Sequence, residues 1–198
     1  MTGYTEVLHF WFGSDISGAI PQERIRFWFG GEPQTDRLIQ ERFSKSVAAA
    51  AAGRLDIWAE RPAGRLALIL LLDQFPRNIY RGSPQAYAYD EPALQLALDG
   101  IDQGDDAELA LVERAFMYMP LEHAENLQVQ QRAVELFEGL RDQALPVQAP
   151  VVESFADYAH RHRDVIARFG RFPHRNAVLG RTSSPEEAAF LRQPGSRF

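Results

Sequence analysis

The chain has 198 residues, of which 45% are hydrophobic and 24% are charged, a balance typical of a globular protein. This length fits one domain, so we predict a single domain over residues 1–198. The sequence contains no cysteine, which excludes disulfides, thiolate nucleophiles and cysteine-ligated metal centres.

The charged side chains are unevenly distributed along the sequence. The formal net charge is −6, yet the C-terminal region, residues 158–198, holds eight basic and three acidic side chains. A basic segment can bind nucleic acid, but the acidic remainder of the chain would repel a duplex within the Debye length. We therefore expect the basic region to dock within the molecule, and we predict no nucleic-acid partner.

The sequence also lacks signals for secretion or membrane insertion. The first residues, Met1–Glu6, contain neither a basic nor an apolar segment. The longest apolar run, Leu66–Leu72, is too short to span about 30 Å of hydrocarbon. We therefore expect a cytoplasmic protein with no membrane partner.

The N-terminal region, residues 1–33, is rich in aromatic side chains. The tetrapeptide Phe-Trp-Phe-Gly occurs at residues 10–13 and again at residues 27–30. One recurrence is not a solenoid period, so we predict two helix ends that pack aromatic side chains into the core. Gly13 and Gly30 are each predicted to end a helix.

Helical patterns continue along the rest of the chain. Apolar spacing predicts a helix over residues 36–52 that ends at Gly53, and Pro62 marks the start of a strongly apolar helix. Further helices are predicted over about residues 92–103, 107–118, 121–141, 152–169 and 185–192, the last one capped by Ser184. Because no strand alternation is visible, we predict an all-α fold of antiparallel helix pairs joined by short loops.

The first candidate site lies where the apolar helix meets polar side chains around a proline, in Leu72-Asp73-Gln74-Phe75-Pro76-Arg77-Asn78. Pro76 lacks an N–H and crowds the carbonyl of Leu72, so freed carbonyls can accept hydrogen bonds from Arg77 or Asn78. This interpretation makes the segment a hydrogen-bonded helix end without a ligand.

A similar segment, Phe172-Pro173-His174-Arg175-Asn176, follows Arg171 near the C-terminus. If the two segments face each other, their arginines and histidine converge on an anion, since guanidinium groups bind phosphate and carboxylate through paired hydrogen bonds. The alternative is an internal ion-pair network without a ligand, in which the arginines are neutralised by Asp73, Glu122 or Glu125.

A third segment, Tyr118–Asn126, places Glu122 and Glu125 three residues apart at the predicted start of a helix. Two acids and His123 can transfer protons, but their spacing matches no established ligand motif, so we predict no metal. The alternative is that these acids only complement the helix dipole. His160 and His162 lie about 200° apart around a helix and are interpreted as surface residues.

Sequence motifs of the common nucleophile and nucleotide sites are absent. The chain has no Gly-x-Ser-x-Gly, no phosphate-binding P-loop and no Gly-x-Gly-x-x-Gly. We therefore predict no cofactor.

Together, the three segments resemble an uncharacterised, mainly bacterial family defined as domain of unknown function 924. The similarity extends from Val7-Leu8-His9-Phe10-Trp11-Phe12-Gly13 to Arg168–Gly180. It implies an all-α, tetratricopeptide-like right-handed superhelix or a compact helical bundle, although no repeat of about 34 residues is visible. The positions that match the family pattern are Asp73, Gln74, Arg77, Asn78, His123, Glu125, Arg171, His174, Arg175 and Asn176.

Two functions fit these observations, and neither fixes a reaction. One is a protein that binds a small ligand or anion through its motif arginines, with His123, Glu125 or His174 as catalytic candidates if it is an enzyme. The other is a scaffold that binds a partner protein through exposed aromatic residues such as Trp58, Tyr87 or Tyr89.

Overall fold

The computed structural model describes residues 3–14, 16 and 18–196, and this part of the chain is helical and contains no strand. The predicted all-α fold is therefore confirmed. The helices are α1 (Tyr4–Phe12), α2 (Gln22–Phe29), α3 (Pro33–Ala51), α4 (Pro62–Ile69), α5 (Phe75–Ile79), α6 (Asp90–Gln103), α7 (Leu111–Glu122), α8 (Leu127–Gln143), α9 (Ala149–Phe169) and α10 (Pro185–Phe190). None of the described helices combines the length and the apolar character needed to cross a membrane.

The helix α4 and the turn after it form the centre of the core. Every residue of Leu66–Leu72 is buried, and α4 contacts α1, α6 and α7. On one side of this centre, α7 packs on α8 and α8 packs on α9. The links between these helices have only four and five residues, so neighbours that pack along their length run antiparallel.

Most of the predicted helix boundaries agree with the structure. Gly53, which follows α3, has a φ of +71°, and α4 begins at Pro62. At the start of α10, the hydroxyl of Ser184 accepts a hydrogen bond from the N–H of Glu187, whose carboxylate accepts one from the N–H of Ser184. These capping predictions are confirmed.

The aromatic N-terminal region packs as predicted, and α1 and α2 end at Gly13 and Gly30 as predicted. Trp28 donates a hydrogen bond of 2.9 Å from its indole N–H to the carbonyl of Trp11, and its ring lies 4.8 Å from that of Phe116. Gly30 has a φ of −74°, and Gly31 takes the left-handed conformation with a φ of +63°. A side chain at residue 30 would collide with the carbonyl of the preceding turn, 2.4 Å away, which explains the glycine there.

The prediction that a helix ends at Phe75-Pro76 is wrong. Leu70–Gln74 forms a π-helical turn, in which the N–H of Phe75 donates to the carbonyl of Leu70, and the chain continues directly as α5. Pro76 then lies in the first turn of α5, where its missing N–H costs little. The wider π turn changes the direction of the side chains that precede it, a feature frequent at functional sites.

Pro120 also differs from the prediction, because it lies inside α7 rather than between two helices. A proline near a helix end removes only one hydrogen bond, and the fully buried side chains of Tyr118 and Leu121 hold the last turn in place. The helix therefore continues to Glu122, and α8 begins only at Leu127.

The basic C-terminal region docks on the rest of the molecule, as predicted. Arg175 pairs with Asp90 at 3.1 Å, and Arg181 pairs with Glu125 at 2.6 Å. These ion pairs use acidic residues of the preceding chain, which explains the uneven distribution of charge.

Candidate functional site

A cavity of about 840 Å³ opens between α2, α5, the end of α7, α9 and the turn Pro173–Arg175. This volume lies within the range of about 300–1,000 Å³ that is usual for small-molecule sites. Its polar lining residues are Gln22, Gln74, Arg77, Asn78, Arg81, Glu122, His123, Ser154, His162, His174 and Arg175. Its large apolar lining residues are Ile20, Ile25, Trp28, Phe29, Tyr87, Met119, Val147, Val151, Phe155 and Tyr158.

The cavity has an apolar end and a polar end, which can be followed along α9. Val151, Phe155, Tyr158 and His162 lie on one face of this helix and all line the cavity. The ring of Phe155 lies 6.0 Å from that of Phe29, which marks the apolar end. His162 follows Phe155 by two helical turns, about 10 Å further along the axis, where the polar groups gather.

Asp73 and His123 form the centre of the polar end. Asp73 lies in the π turn and is fully buried, and His123 follows the last residue of α7. The Nδ1 atom of His123 lies 2.7 Å from Oδ1 of Asp73, and the amide of Gln74 donates to Oδ2 at 2.6 Å. The structure therefore places the first and third predicted segments side by side.

The surroundings of this pair set the charge of both groups. Burial alone would raise the pKa of Asp73, but the charges of Arg77 and His123 and the hydrogen bonds from His123 and Gln74 hold it below its usual value. Burial and the charge of Arg77 lower the pKa of His123, against the opposing effect of Asp73. At neutral pH the imidazole is thus neutral and the carboxylate is ionised.

The hydrogen bond also fixes which imidazole nitrogen carries the proton. An ionised carboxylate can only accept, so Nδ1 of His123 is the donor and Nε2 is left as a base. Nε2 makes no hydrogen bond to the described part of the chain. The arrangement of a buried acid behind an imidazole is the one that orients the base in hydrolase triads.

A second acid–imidazole pair lies beside the first. Nδ1 of His162 lies 2.9 Å from Oε1 of Glu122 and 2.8 Å from the carbonyl of Tyr158. The side chain of Gln130 donates to the carbonyls of Glu122 and Ala124, which fixes the end of α7. Glu122 therefore ends a helix rather than starting one.

The interpretation of His162 as a surface residue is wrong. It is buried on the cavity face of α9, because that face also carries Val151 and Phe155. Its ring centroid lies 6.3 Å from that of His123. His160, two residues earlier, pairs with Glu138 outside the cavity, at 3.0 Å.

Arg77 and Arg175 meet at a single carboxylate, that of Asp90 at the start of α6. Arg77 binds Asp90 through both terminal nitrogens, at 2.8 and 3.1 Å, and Arg175 donates to the same group at 3.1 Å. The two guanidinium groups also contact the ring of Tyr87, with carbon-to-centroid distances of 5.6 and 4.7 Å. The two Phe-Pro segments thus meet at one carboxylate, rather than facing each other across a ligand.

The electrostatics of these two arginines differ. Although burial acts in the other direction, Asp73 and Asp90 together raise the pKa of Arg77. Burial and the positive charge of Arg77 lower the pKa of Arg175, and Asp90 only partly offsets this. The Nε–H of Arg175 is buried and has no hydrogen-bond partner among the described residues. The environment of Arg175 is therefore short of negative charge.

His174 lines the cavity next to Arg175. Burial, together with the charges of Arg175 and His162, lowers its pKa to about 3. It is therefore neutral at physiological pH and adds a polar but uncharged group to this end of the cavity.

Four predicted site residues have structural partners instead. Arg171 binds Glu187 through two hydrogen bonds, at 2.6 and 2.8 Å, and Asn176 donates to Ser183. Glu125 binds Arg181 and also accepts the backbone N–H of Phe172, at 2.8 Å. None of Glu125, Arg171 and Asn176 lines the cavity. Asn78 does line it, but its amide donates to Asp36 at 2.8 Å.

Three features of the site were not predicted from the sequence. They are the pairing of Asp90 with the arginines, the pairing of Glu122 with a histidine, and the place of His162 in the cavity wall. A signal for His162 was present in the sequence, because Tyr158 and His162 are four residues apart and so lie on the same helical face as Phe155. For Asp90 the only signal in the sequence was its position in the first turn of a helix, which is common for acidic residues. No group of three or more histidine and acidic side chains arranged to hold a metal occurs in the described part of the chain.

The aromatic residues expected to bind a partner protein are half-buried. Tyr87 lines the cavity beside two arginines, and Trp58 packs against Tyr4 with ring centroids 6.0 Å apart. Tyr89 packs on the core. The three rings are thus only partly accessible, and binding of a partner protein stays a prediction.

Comparison with known proteins identifies the family. Residues 7–195 match the family described as bacterial protein of unknown function, DUF924. The chain is similar to the solved structure of the protein of unknown function ATU0120 from Agrobacterium tumefaciens, with 36% identity, 96% coverage of each chain and a TM-score of 0.81. Among curated proteins, none matches this sequence. The chain belongs to the DUF924 family of bacterial proteins of unknown function.

Proposed function

We propose that the chain binds a small organic anion in this cavity. The anionic group lies at the polar end against Arg77 and Arg175, and a flat apolar body lies at the other end against Phe29 and Phe155. The observation that carries the proposal is the sharing of one carboxylate, Asp90, by two guanidinium groups on the cavity wall.

The charges on the wall support an anionic ligand. The ionised side chains that line the cavity are those of Arg77, Arg81, Arg175 and Glu122. The carboxylates that pair with these arginines, Asp36, Asp73 and Asp90, do not line it. A ligand in the cavity therefore meets guanidinium groups whose orientation is fixed by acids outside the lining.

The repulsion between Arg77 and Arg175 supports the same ligand class. A bound carboxylate or phosphate would accept hydrogen bonds from these donors and offset the repulsion that lowers the pKa of Arg175. The alternative, an internal ion-pair network without a ligand, would require Asp90 to offset this repulsion fully, whereas it does so only in part.

The apolar end supports a ligand with an aromatic or aliphatic body. Phe29 is 51% exposed at the end of α2, although its ring is parallel to that of Phe116 and meets that of Phe155 edge-to-face. Covering such a ring with a flat apolar group adds stabilisation of about 25 cal/mol per Å² of area removed from water. An aromatic carboxylate combines both features.

Calorimetric titration with phenylacetate tests the proposal, with benzyl alcohol as a neutral compound of similar shape. We expect phenylacetate to bind and benzyl alcohol to bind at least tenfold more weakly, because a charged hydrogen bond contributes about 1.5–3 kcal/mol. Arg175→Gln and Arg77→Gln are each expected to weaken phenylacetate binding by about 10–100-fold.

Arg171→Gln is the matched control, since Arg171 belongs to the same motif but binds Glu187 away from the cavity. It should leave phenylacetate affinity unchanged. Equal binding of the acid and the alcohol, or equal losses in the Arg171 and Arg175 variants, would contradict the proposal.

A further inference from the structure

We infer that the polar end of the cavity is a proton-transfer site with two histidines, in which His123 removes a proton from the bound molecule and His162 delivers one to it. This inference rests on the proposed function, because the arginines would hold the substrate by its anionic group. It goes further by assigning an activity and a substrate class.

The two histidines have similar surroundings, although they come from different parts of the chain. Each has its Nδ1 atom against a buried carboxylate, at 2.7 Å for Asp73 and 2.9 Å for Glu122. The carboxylate of Asp73 fixes the ring of His123, and the carbonyl of Tyr158, 2.8 Å from Nδ1, fixes that of His162 together with Glu122. Because these oxygens only accept hydrogen bonds, proton exchange is directed to Nε2 in both rings. Both rings line the same cavity.

The spacing of the rings suits transfer to two positions of one small molecule. Their centroids are 6.3 Å apart and their planes are inclined by 65°. A catalytic imidazole nitrogen works at about 2.6–3.2 Å from the atom that gains or loses the proton. A small substrate that lies in the cavity against both rings can therefore exchange protons with both.

Their surroundings give the two histidines different roles. Arg77 binds Asp73 and so lies beside His123, where its charge disfavours an imidazolium and keeps the ring ready as a base. Glu122 pairs with His162 and with no arginine of the described chain, so its full charge faces that imidazole. His123 is thus assigned as the base and His162 as the acid.

The matching substrate class is a small 2-oxo acid with a C–H bond next to its carbonyl group. The carboxylate occupies the site between Arg77 and Arg175. Nε2 of His123 takes the proton from carbon, and the electron pair of that C–H bond becomes the C=C bond of the enol. The carbonyl oxygen takes the Nε2 proton of His162, which enters the step as an imidazolium and keeps its Nδ1 proton. Exchange of protons with water then restores both rings. No oxidant or reductant is consumed.

Phenylpyruvate is the probe for this reaction, because it carries a carboxylate, a carbonyl, an acidic C–H bond and an aromatic ring. Its C3 protons are followed by proton NMR in D₂O. We expect the protein to accelerate their exchange by about 10²–10⁴-fold over buffer, the range of general acid–base catalysis. His123→Gln and His162→Gln should each lose most of this acceleration.

His160→Gln is the control, because His160 is on the same helix and pairs with Glu138 outside the cavity. It should exchange phenylpyruvate at the wild-type rate. Binding of phenylpyruvate without accelerated exchange would overturn this inference and leave the proposed function in place. Absence of binding would instead overturn the proposed function, and the inferred activity with it.

The tautomers of the two histidines provide a second test, which needs no variant and no ligand. In ¹⁵N NMR spectra of the folded wild-type protein, both rings should carry a proton on Nδ1, and Nε2 of His123 should be unprotonated. A ring with its proton on Nε2 has no lone pair to accept a substrate proton there, so that result for His123 would overturn the assignment.

Discussion

Arg175 donates a hydrogen bond of 3.1 Å to Asp90, which lies 85 positions earlier in the sequence. This bond joins the turn Pro173–Arg175 to the start of α6, and Arg77 binds the same carboxylate from α5. One acid thus fixes both arginines of the proposed anion site.

We predict that Asp90→Asn destabilises the protein by about 2–4 kcal/mol, because it leaves two partly buried guanidinium groups with one fewer negative charge. The free energy of unfolding in urea measures this loss. Asp102→Asn is the control, since Asp102 pairs with Arg132 on the surface, and such pairs contribute about 1 kcal/mol or less. Similar losses in the two variants would contradict the special position of Asp90.

Asp73→Asn should have two separate effects. We expect a loss of about 2–4 kcal/mol in unfolding free energy, because a buried charge that Arg77 and His123 both bind is removed. The neutral amide can accept from or donate to His123, so the imidazole proton should no longer stay on Nδ1. Urea unfolding and ¹⁵N NMR measure the two effects, and an unchanged tautomer would show that Asp73 does not set it.

Stability should fall as the pH drops below neutrality, and His174 should contribute to the fall. Its pKa is about 3 in the folded protein, against 6.5 as the usual value. Between these pH values the unfolded chain binds a proton that the folded chain does not, so acid favours unfolding. The expected slope is up to about 1.4 kcal/mol per pH unit for this group.

Urea unfolding at several pH values between about 7 and 5 measures that slope. His174→Gln should make it less steep, whereas His9→Gln, at an exposed position of α1, should leave it unchanged. The lowered pKa of His123 acts in the same direction, so some slope should remain in the His174 variant. A slope that His174→Gln does not alter would contradict the buried state of this ring.

Two glycine substitutions test the packing around the core. A side chain at Gly64 would lie 2.2 Å from the carbonyl of Trp58, so Gly64→Ala should cost about 2–3 kcal/mol. A side chain at Gly139 in α8 meets no atom within 4 Å, so Gly139→Ala should stabilise the helix by about 0.5–1 kcal/mol. Thermal unfolding compares the two, and a stable Gly64→Ala variant would show that the turn at Trp58 can shift.

The sequence predicted the helical class and most helix starts because these depend on local signals, such as Pro62 and Ser184. It did not predict that α4 continues through the π turn into α5, because periodicity and proline rules describe regular helices. The helix end predicted near Pro120 was wrong for a similar reason. Burial of the last turn of α7 stabilises the helix by more than the missing hydrogen bond costs. The cytoplasmic location stays a prediction.

Part of the site was also accessible from the sequence. Asp73, Gln74, Arg77, His123, His174 and Arg175 do gather at the polar end. Three other predicted site residues, Glu125, Arg171 and Asn176, have side chains of the same kinds but bind residues of the C-terminal segment. The sequence does not distinguish them from the cavity residues, because the difference arises only from tertiary packing. Asp90 could not be recognised, because its role comes from two arginines on distant parts of the chain. His162 offered one signal, its helical spacing from Phe155 and Tyr158 on the cavity face of α9.

Crystals soaked with 4-bromobenzoate test the central claim, an anion site at Arg77 and Arg175, most directly. The anomalous signal of bromine locates the apolar end of the ligand, and the density locates its carboxylate. We predict bromine beside Phe29 and Phe155 and a carboxylate within about 3 Å of the two guanidinium groups. A ligand bound elsewhere, or with its carboxylate turned away from both arginines, would contradict the account.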